Sequence, residues 1–256
     1  MKKIINKSIE PKSKSKIPKK IFQTNKTTNL PKNMIDNMLS WTNLNKDYDY
    51  YFFDDNDCLK YINDNFDKKY VDIWNKLDKL KDKRFKADFW RYCILFIEGG
   101  VYADTDMTCL VKLEKIFNDD DEFVVPRDDS SMRGKKGFKN LYNAFIACAP
   151  KHIFIKQVLD NILKLVLNCN DINKLFYKDV ETCLDVTGPG ALGEAVNNVL
   201  NKKEKKFRIG NFIDKNIKYK ILHHISNPNE LIYINKGQNP CIVAKYDGYL
   251  EDIKHV

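Results

Sequence analysis

A helical pattern runs from about Asp82 to Glu98, stops at Gly99-Gly100, and gives way at once to the short apolar run Val101 to Asp104. Paired glycines after a periodic segment end a helix. A strand that follows without a linker packs back on that helix, which confines the chain to folds in which helices cover a sheet. The same alternation recurs on both sides. Lys20 to Thr24 reads as a strand, Asn33 to Trp41 as a helix after Pro31, and Tyr48 to Phe53 as an aromatic strand closing on Asp54-Asp55-Asn56. A helical region opens at about Asp57.

Beyond Asp104 the pattern predicts strands at Glu122 to Val125 and Asn143 to Cys148, separated by a loop from Arg127 to Lys139 rich in glycine, lysine and serine. Helices follow at Ile153 to Leu167, in the region Asp171 to Cys183, and at Ala191 to Leu200 after the turn Thr187-Gly188-Pro189-Gly190. Short strands near Phe207, Ile221, Ile232 and Ile242 finish the chain. This order predicts an α/β three-layer domain with a mostly parallel central sheet and no internal repeat. Residues 1–16 are lysine-rich with few apolar anchors and are expected to be a flexible basic lead-in to one domain over 17–256.

The formal net charge is +9, yet only Arg84, Arg91, Arg127, Arg133 and Arg208 among the 44 basic residues are arginine. The lysines are scattered among asparagines and aspartates, without the arginine forks of a phosphate-reading surface, so no nucleic-acid partner is expected. Seven cysteines lie far apart with no C-x-x-C pair, which predicts reduced thiols in a cytoplasmic protein. The longest apolar run, Cys93 to Ile97, falls far short of the about 18 residues that cross a bilayer. No transmembrane segment is expected, while a peripheral membrane contact is compatible with the sequence.

The chemistry concentrates between residues 84 and 106. Arg84, Asp88 and Arg91 share a helix face by i, i+4 and i+3 spacing, which sets two rare arginines around one carboxylate. Phe85, Phe89, Tyr92 and Phe96 form an apolar stripe that would anchor this helix. Past the glycines, a period of two puts Tyr102, Asp104 and Asp106 on one side, if extension persists through the turn, with alternate Cα atoms about 7 Å apart. Two carboxylates so placed at the end of a buried strand repel unless a cation or donors sit between them. Such oxygen ligands suit Mg²⁺ or Mn²⁺, which take one or two carboxylates together with substrate phosphates. Ligands of open α/β sheets bind outside the carboxyl ends of strands, where these aspartates fall.

Taken together, Arg84-x-x-Ala87-Asp88-x-x-Arg91-Tyr92 and Gly99-Gly100-Val101-Tyr102-x-Asp104-x-Asp106 resemble the sugar-binding region, containing the DXD motif, of glycosyltransferase family 32. That family includes initiating α-mannosyltransferases and is similar at this core to the clostridial glucosylating toxins. Ile17 to Thr24 resembles the family's opening strand, Ser40-Trp41 with Tyr48 to Asp55 its second, and Asn143 to Ala147 and Thr187-Gly188-Pro189 its later elements. Phe22 and Asn25 stand where the family has His and Trp. Ala244 to Tyr249 replaces a C-terminal histidine segment, where Lys245 would either neutralise diphosphate charge or remain a solvated lysine. His223 and His224 are adjacent in a strand and so face opposite sides, which argues against joint ligation of one ion.

The resemblance implies a GT-A type, Rossmann-like fold and a retaining transfer of a hexose from a nucleotide diphosphate sugar to a hydroxyl of a glycan, lipid or protein acceptor. It implies Asp104 and Asp106 as the catalytic metal ligands for Mn²⁺ or Mg²⁺. Gln23, Asp88, Arg91, Tyr102, Asp104 and Asn143 are the donor-binding residues it implies, with a UDP-sugar favoured and GDP-mannose compatible. A nucleotide-sugar hydrolase, and a basic nucleic-acid or surface-binding module using the lysines of residues 2 to 20, are the competing readings.

Overall fold

The helix Arg84–Glu98 ends where the Gly99 amide donates to the Leu95 carbonyl at 2.9 Å. Gly99 and Gly100 then turn the chain with φ of 61° and 95°, in the region that favours glycine. Space is also short. A Cβ on Gly99 would stand 2.6 Å from the Pro150 nitrogen, and one on Gly100 2.7 Å from the Lys20 carbonyl oxygen. Both positions thus require glycine for conformation and for close approach, and together they fix the strand Gly100–Ala103 against its helix.

The computed structural model describes residues 3–6, 15–129, 139–177, 184–226, 230–234 and 238–244. Its strands are β1 (Lys3–Asn6), β2 (Lys20–Thr24), β3 (Asp49–Phe53), β4 (Gly100–Ala103), β5 (Met107–Cys109), β6 (Phe123–Pro126), β7 (Phe145–Cys148), β8 (Gly210–Asp214), β9 (Ile217–Ser226), β10 (Glu230–Tyr233) and β11 (Ile242–Ala244). Its helices are α1 (Lys32–Leu44), α2 (Asp55–Asn65), α3 (Lys68–Asp78), α4 (Arg84–Glu98), α5 (Ile153–Leu167), α6 (Ile172–Phe176) and α7 (Pro189–Leu200). No helix among the described residues is long and apolar enough to cross a membrane.

The strands form one sheet in the order β1-β3-β2-β4-β7-β6-β9-β10-β11-β5, with β8 on the side of β9. β3, β2 and β4 are parallel, β6 and β9 are parallel, and β7 runs against both β4 and β6. Five of the six central strands therefore share a direction, as the α/β pattern predicts. The remaining strands extend this sheet by antiparallel pairing.

Alternation along the strands builds two cores. Ile21, Val101 and Ala147 point to the layer that holds Trp41 and Met38 of α1, while Phe22, Tyr102 and Ile146 point to the layer of α2 to α5 and α7. Tyr102 thereby faces α4, whose stripe Phe85, Phe89 and Tyr92 is buried, with Phe96 partly so.

The structure changes several expectations. The lead-in 1–16 is not wholly outside the sheet, because Lys3–Asn6 pairs along β3, whose outer edge would otherwise be open. The last strands include β8 at Gly210–Asp214, with Phe207 a buried residue of the preceding loop. β7 begins at Phe145, which leaves Asn143 in the loop before it. Residues 130–138 of the glycine-rich loop, 178–183 of the helical region, and Lys245 with its neighbours lie outside the described residues.

Replacing Gly100 by alanine is expected to destabilise the protein by about 2 kcal/mol or more, since the side chain meets both a disfavoured φ and the β2 backbone. Urea unfolding with an unchanged midpoint would show that the β2–β4 junction yields without strain.

Candidate active site

β4 delivers Asp104 to the carboxyl edge of the sheet, where a turn begins. The Asp104 amide donates to Ala144 O at 3.0 Å, and its carbonyl accepts from Met107 N at 3.1 Å and from Gln23 Nε2 at 2.9 Å. Gln23 is fully buried, and its Oε1 accepts from the Tyr50 hydroxyl at 2.6 Å. Both ends of this amide are therefore engaged, and Gln23 supports the turn from beneath rather than facing a ligand. Thr105 is gripped in the same way, by Asn25 Nδ2 on its hydroxyl at 3.2 Å and by Asn37 Nδ2 on its carbonyl at 3.3 Å. Asn25, the residue standing in place of a tryptophan, thus gains a definite role.

Because the chain turns at Asp104, extension does not persist to Asp106. The period-two argument holds for Tyr102 and Asp104, whose side chains meet at 2.6 Å, Tyr102 donating to Oδ1. It fails for Asp106, which lies inside the turn. Asp106 follows Asp104 by two residues within the turn and does not share its strand.

α4 approaches this turn with Arg91, whose side chain is 5% exposed. The guanidinium donates to Asn143 O at 2.7 Å, and its other terminal nitrogen lies 3.1 Å from Asp104 Oδ1 and 3.2 Å from Asp88 Oδ1. Its plane stands 4.6 Å from the Tyr102 ring centroid. Arg84 does not complete the expected pair of arginines. Its side chain is 68% exposed and bound to Asp82 at the start of the helix.

Asp88 is fastened from two further segments. Asn143 Nδ2 donates to Oδ1 at 2.9 Å and also reaches the Tyr92 hydroxyl at 3.1 Å, while the Thr187 hydroxyl donates to Oδ2 at 3.1 Å. From sequence Tyr92 belongs to the apolar stripe that anchors α4, and neither it nor Thr187 is a site residue. The Thr187-Gly188-Pro189 segment resembled a family element, but nothing local to it signals a bond to a carboxylate 99 residues away.

Burial pushes the Asp88 carboxyl up to about 6, against the lowering pull of Arg91 and with Asp104 adding to the rise. Burial also pushes the Tyr102 hydroxyl well up, so it remains a donor to Asp104. At neutral pH the Asp88 carboxylate is therefore ionised beside the Arg91 guanidinium.

Among the described residues, no group of three or more His, Cys, Asp or Glu is arranged to hold a metal ion. Two carboxylates with substrate phosphates suffice for Mg²⁺ or Mn²⁺. The donors on Asp104 converge on Oδ1, Oδ2 takes none from the described residues, and the side chain keeps 31% exposure. Asp104 fits one hard-oxygen ligand of that kind, and Asp106 follows it within the same turn. His223 and His224 do not converge: His223 lies 4.0 Å from Asp129, whereas His224 lies 3.8 Å from Asp128 and stacks on Tyr142 at 4.2 Å.

Residues 31–123 match the family described as glycosyltransferase sugar-binding region containing DXD motif. This stretch is similar to the sugar-binding region of that glycosyltransferase family. It holds Asp88, Arg91, Tyr102, Asp104 and Asp106 and ends before Asn143 and Thr187. The chain is 32% identical over 125 residues to an uncharacterized glycosyltransferase, L373, of Acanthamoeba polyphaga mimivirus, covering 48% of this chain and 45% of that protein. It is 29% identical over 119 residues to the initiation-specific alpha-1,6-mannosyltransferase of Candida albicans, covering 45% and 31%. The matched segments thus span less than half the length of these relatives. The PaToxG glycosyltransferase structure superposes with a TM-score of 0.52 at 17% identity, covering 72% of this chain and 70% of that one, which agrees with the GT-A type fold.

The folded state binds the Asp88 proton more tightly than the unfolded chain does, so ionisation of this group removes stability as pH rises from about 4 to about 6. Asp88→Asn is therefore expected to raise the melting temperature at pH 7.5, with the gain shrinking toward pH 4. The variant leaves Arg91 paired with Asp104 alone. A lower melting temperature at pH 7.5 would mean that the Asp88–Arg91 attraction outweighs burial.

Proposed function

We propose that this protein is a metal-dependent, retaining glycosyltransferase that moves a hexose from a nucleotide diphosphate sugar to an acceptor hydroxyl. The observation that carries the reading is the Arg91 guanidinium joining Asp88 to Asp104 inside the DXD sugar-binding region. Neither carboxylate can turn away without losing that partner, so a sugar contact and a diphosphate contact are held in fixed relation.

Asp88, ionised above about pH 6, accepts a hydrogen bond from a donor-sugar hydroxyl. Arg91 keeps Asp88 oriented, and Tyr102 holds Asp104 by its Oδ1 oxygen. A divalent cation bound by Asp104 and Asp106, Mn²⁺ or Mg²⁺, would stabilise the charge that develops on the departing diphosphate. The bond between the anomeric carbon and the diphosphate oxygen breaks, and the acceptor oxygen takes its place as its proton passes to the departing diphosphate oxygen. The described residues offer no protein nucleophile at the site, which is compatible with a front-face route.

The mannosyltransferase name of one relative supports a mannosyl donor, while the family resemblance favours a UDP-sugar, so both belong in one donor panel. The acceptor is a hydroxyl of a glycan, lipid or protein. The described cysteines are free thiols, in keeping with a reducing compartment such as the cytoplasm.

A panel of UDP- and GDP-sugars, with Mn²⁺ and with chelator, is expected to show metal-dependent release of nucleoside diphosphate from one donor. Asp104→Ala and Asp106→Ala should each lower turnover by about 10³-fold, about 4 kcal/mol of transition-state stabilisation. Folded variants with native turnover would remove the metal assignment, and release that ignores acceptor would favour a hydrolase.

A further inference from the structure

Three segments hold Asp88, but they do not hold its two oxygens equally. Asn143 from the loop before β7 donates to Oδ1 at 2.9 Å, and Arg91 from the same helix lies 3.2 Å from that oxygen as its ion-pair partner. Oδ2 accepts from Thr187 at 3.1 Å and from no other described residue. An ionised carboxylate oxygen accepts about two hydrogen bonds. Oδ1 is therefore occupied by an amide donor and a guanidinium, and Oδ2 keeps one acceptor direction, whose aim depends on where the Thr187 hydroxyl pins it.

Thr187 is itself fully buried, so it acts through Asp88 and not by touching a ligand. Its position is fixed by backbone packing. Leu141 N donates to Pro189 O at 3.1 Å, and a Cβ on Gly193 would stand 1.7 Å from the Lys139 carbonyl oxygen, so α7 lies directly against the segment that carries Asn143. Thr187 and Asn143 thus reach Asp88 from two segments clamped to one another, and neither lies within residues 31–123.

We propose that Thr187 is a positioning residue that fixes which acceptor direction of Asp88 meets the donor sugar, so that discrimination between hexose epimers depends on the Thr187 hydroxyl. This rests on the reading of Asp88 as the donor-sugar contact. Epimers differ only in the direction of one hydroxyl, and a single aimed lone pair distinguishes them where a freely rotating carboxylate does not.

The test uses the full chain with Thr187→Val and Thr187→Ser. Steady-state kinetics would be run on the preferred donor and on its hexose epimer carrying the same nucleotide, together with calorimetry of the free nucleoside diphosphate. The valine variant is expected to raise KM for the preferred donor about tenfold and to flatten the epimer ratio by a similar factor. Its affinity for the nucleoside diphosphate should stay within twofold of the parent, and serine should restore the epimer ratio. Thr187→Ala, which puts no methyl group against the carboxylate, carries the same measurements should the valine variant not fold. Epimer discrimination unchanged in a folded valine or alanine variant, equal loss of donor and nucleoside diphosphate affinity, or failure of serine to restore the ratio would each overturn the role of Thr187 alone. A parent protein that binds no nucleotide-sugar would instead overturn the reading of the site, and this inference with it.

Discussion

The site depends on one buried guanidinium. Arg91 touches Asp88, Asp104 and the Asn143 carbonyl, and it lies over the Tyr102 ring. Both ion pairs lie where solvent screens them little, so neither aspartate turns away without losing this partner. An arginine fits this position where a lysine would not. Its planar fork reaches two carboxylates and a carbonyl in different directions and still presents a face to an aromatic ring. Helix α4, strand β4 and the loop before β7 are therefore joined at their functional ends by one side chain.

That junction requires the strand directions observed. β4 runs toward the carboxyl edge of the sheet and ends at Asp104, whereas β7, its antiparallel neighbour, starts at that edge, so the residues just before it arrive beside Asp104. A parallel strand in the place of β7 would send its leading loop to the opposite edge and take Asn143 away from Asp88. The single reversal within the central sheet is thus what lets two loops meet one helix. α7 then closes the group by bringing Thr187 to the remaining oxygen of Asp88.

Much of this was legible in the chain itself. The strand Lys20–Thr24 and the helix Ile153–Leu167 occupy the residues that their periodicity indicates, and the glycine pair marks the α4–β4 turn because both a positive φ and a close backbone contact demand it. Strands β5 and β8 were not legible. The first is three residues long directly after a turn, and the second shows only partial burial along its length. Within the site, spacing correctly paired Asp88 with Arg91 and Tyr102 with Asp104. The same spacing rules misplaced Arg84, which finds Asp82 two residues away in solvent before it can reach Asp88. They also misplaced Asp106, because a period of two stops counting where the backbone turns. Thr187 obeys no spacing rule, since the contact that defines it is made only by tertiary packing.

The charge arrangement explains why such a site is held by hydrogen bonds and not by charge balance. Two carboxylates share Arg91, which leaves an excess negative charge even before Asp106 is counted, and burial raises the free energy of ionising Asp88. Tyr102, Asn143 and Thr187 offset that excess with neutral donors, which stabilise the ionised form without cancelling its charge. Replacing any of them by a lysine would balance the site but remove the negative potential at the end of β4. On the proposed reading that potential favours a divalent cation, and the electrostatic strain of the ligand-free site is relieved when the cation and the diphosphate sugar bind together.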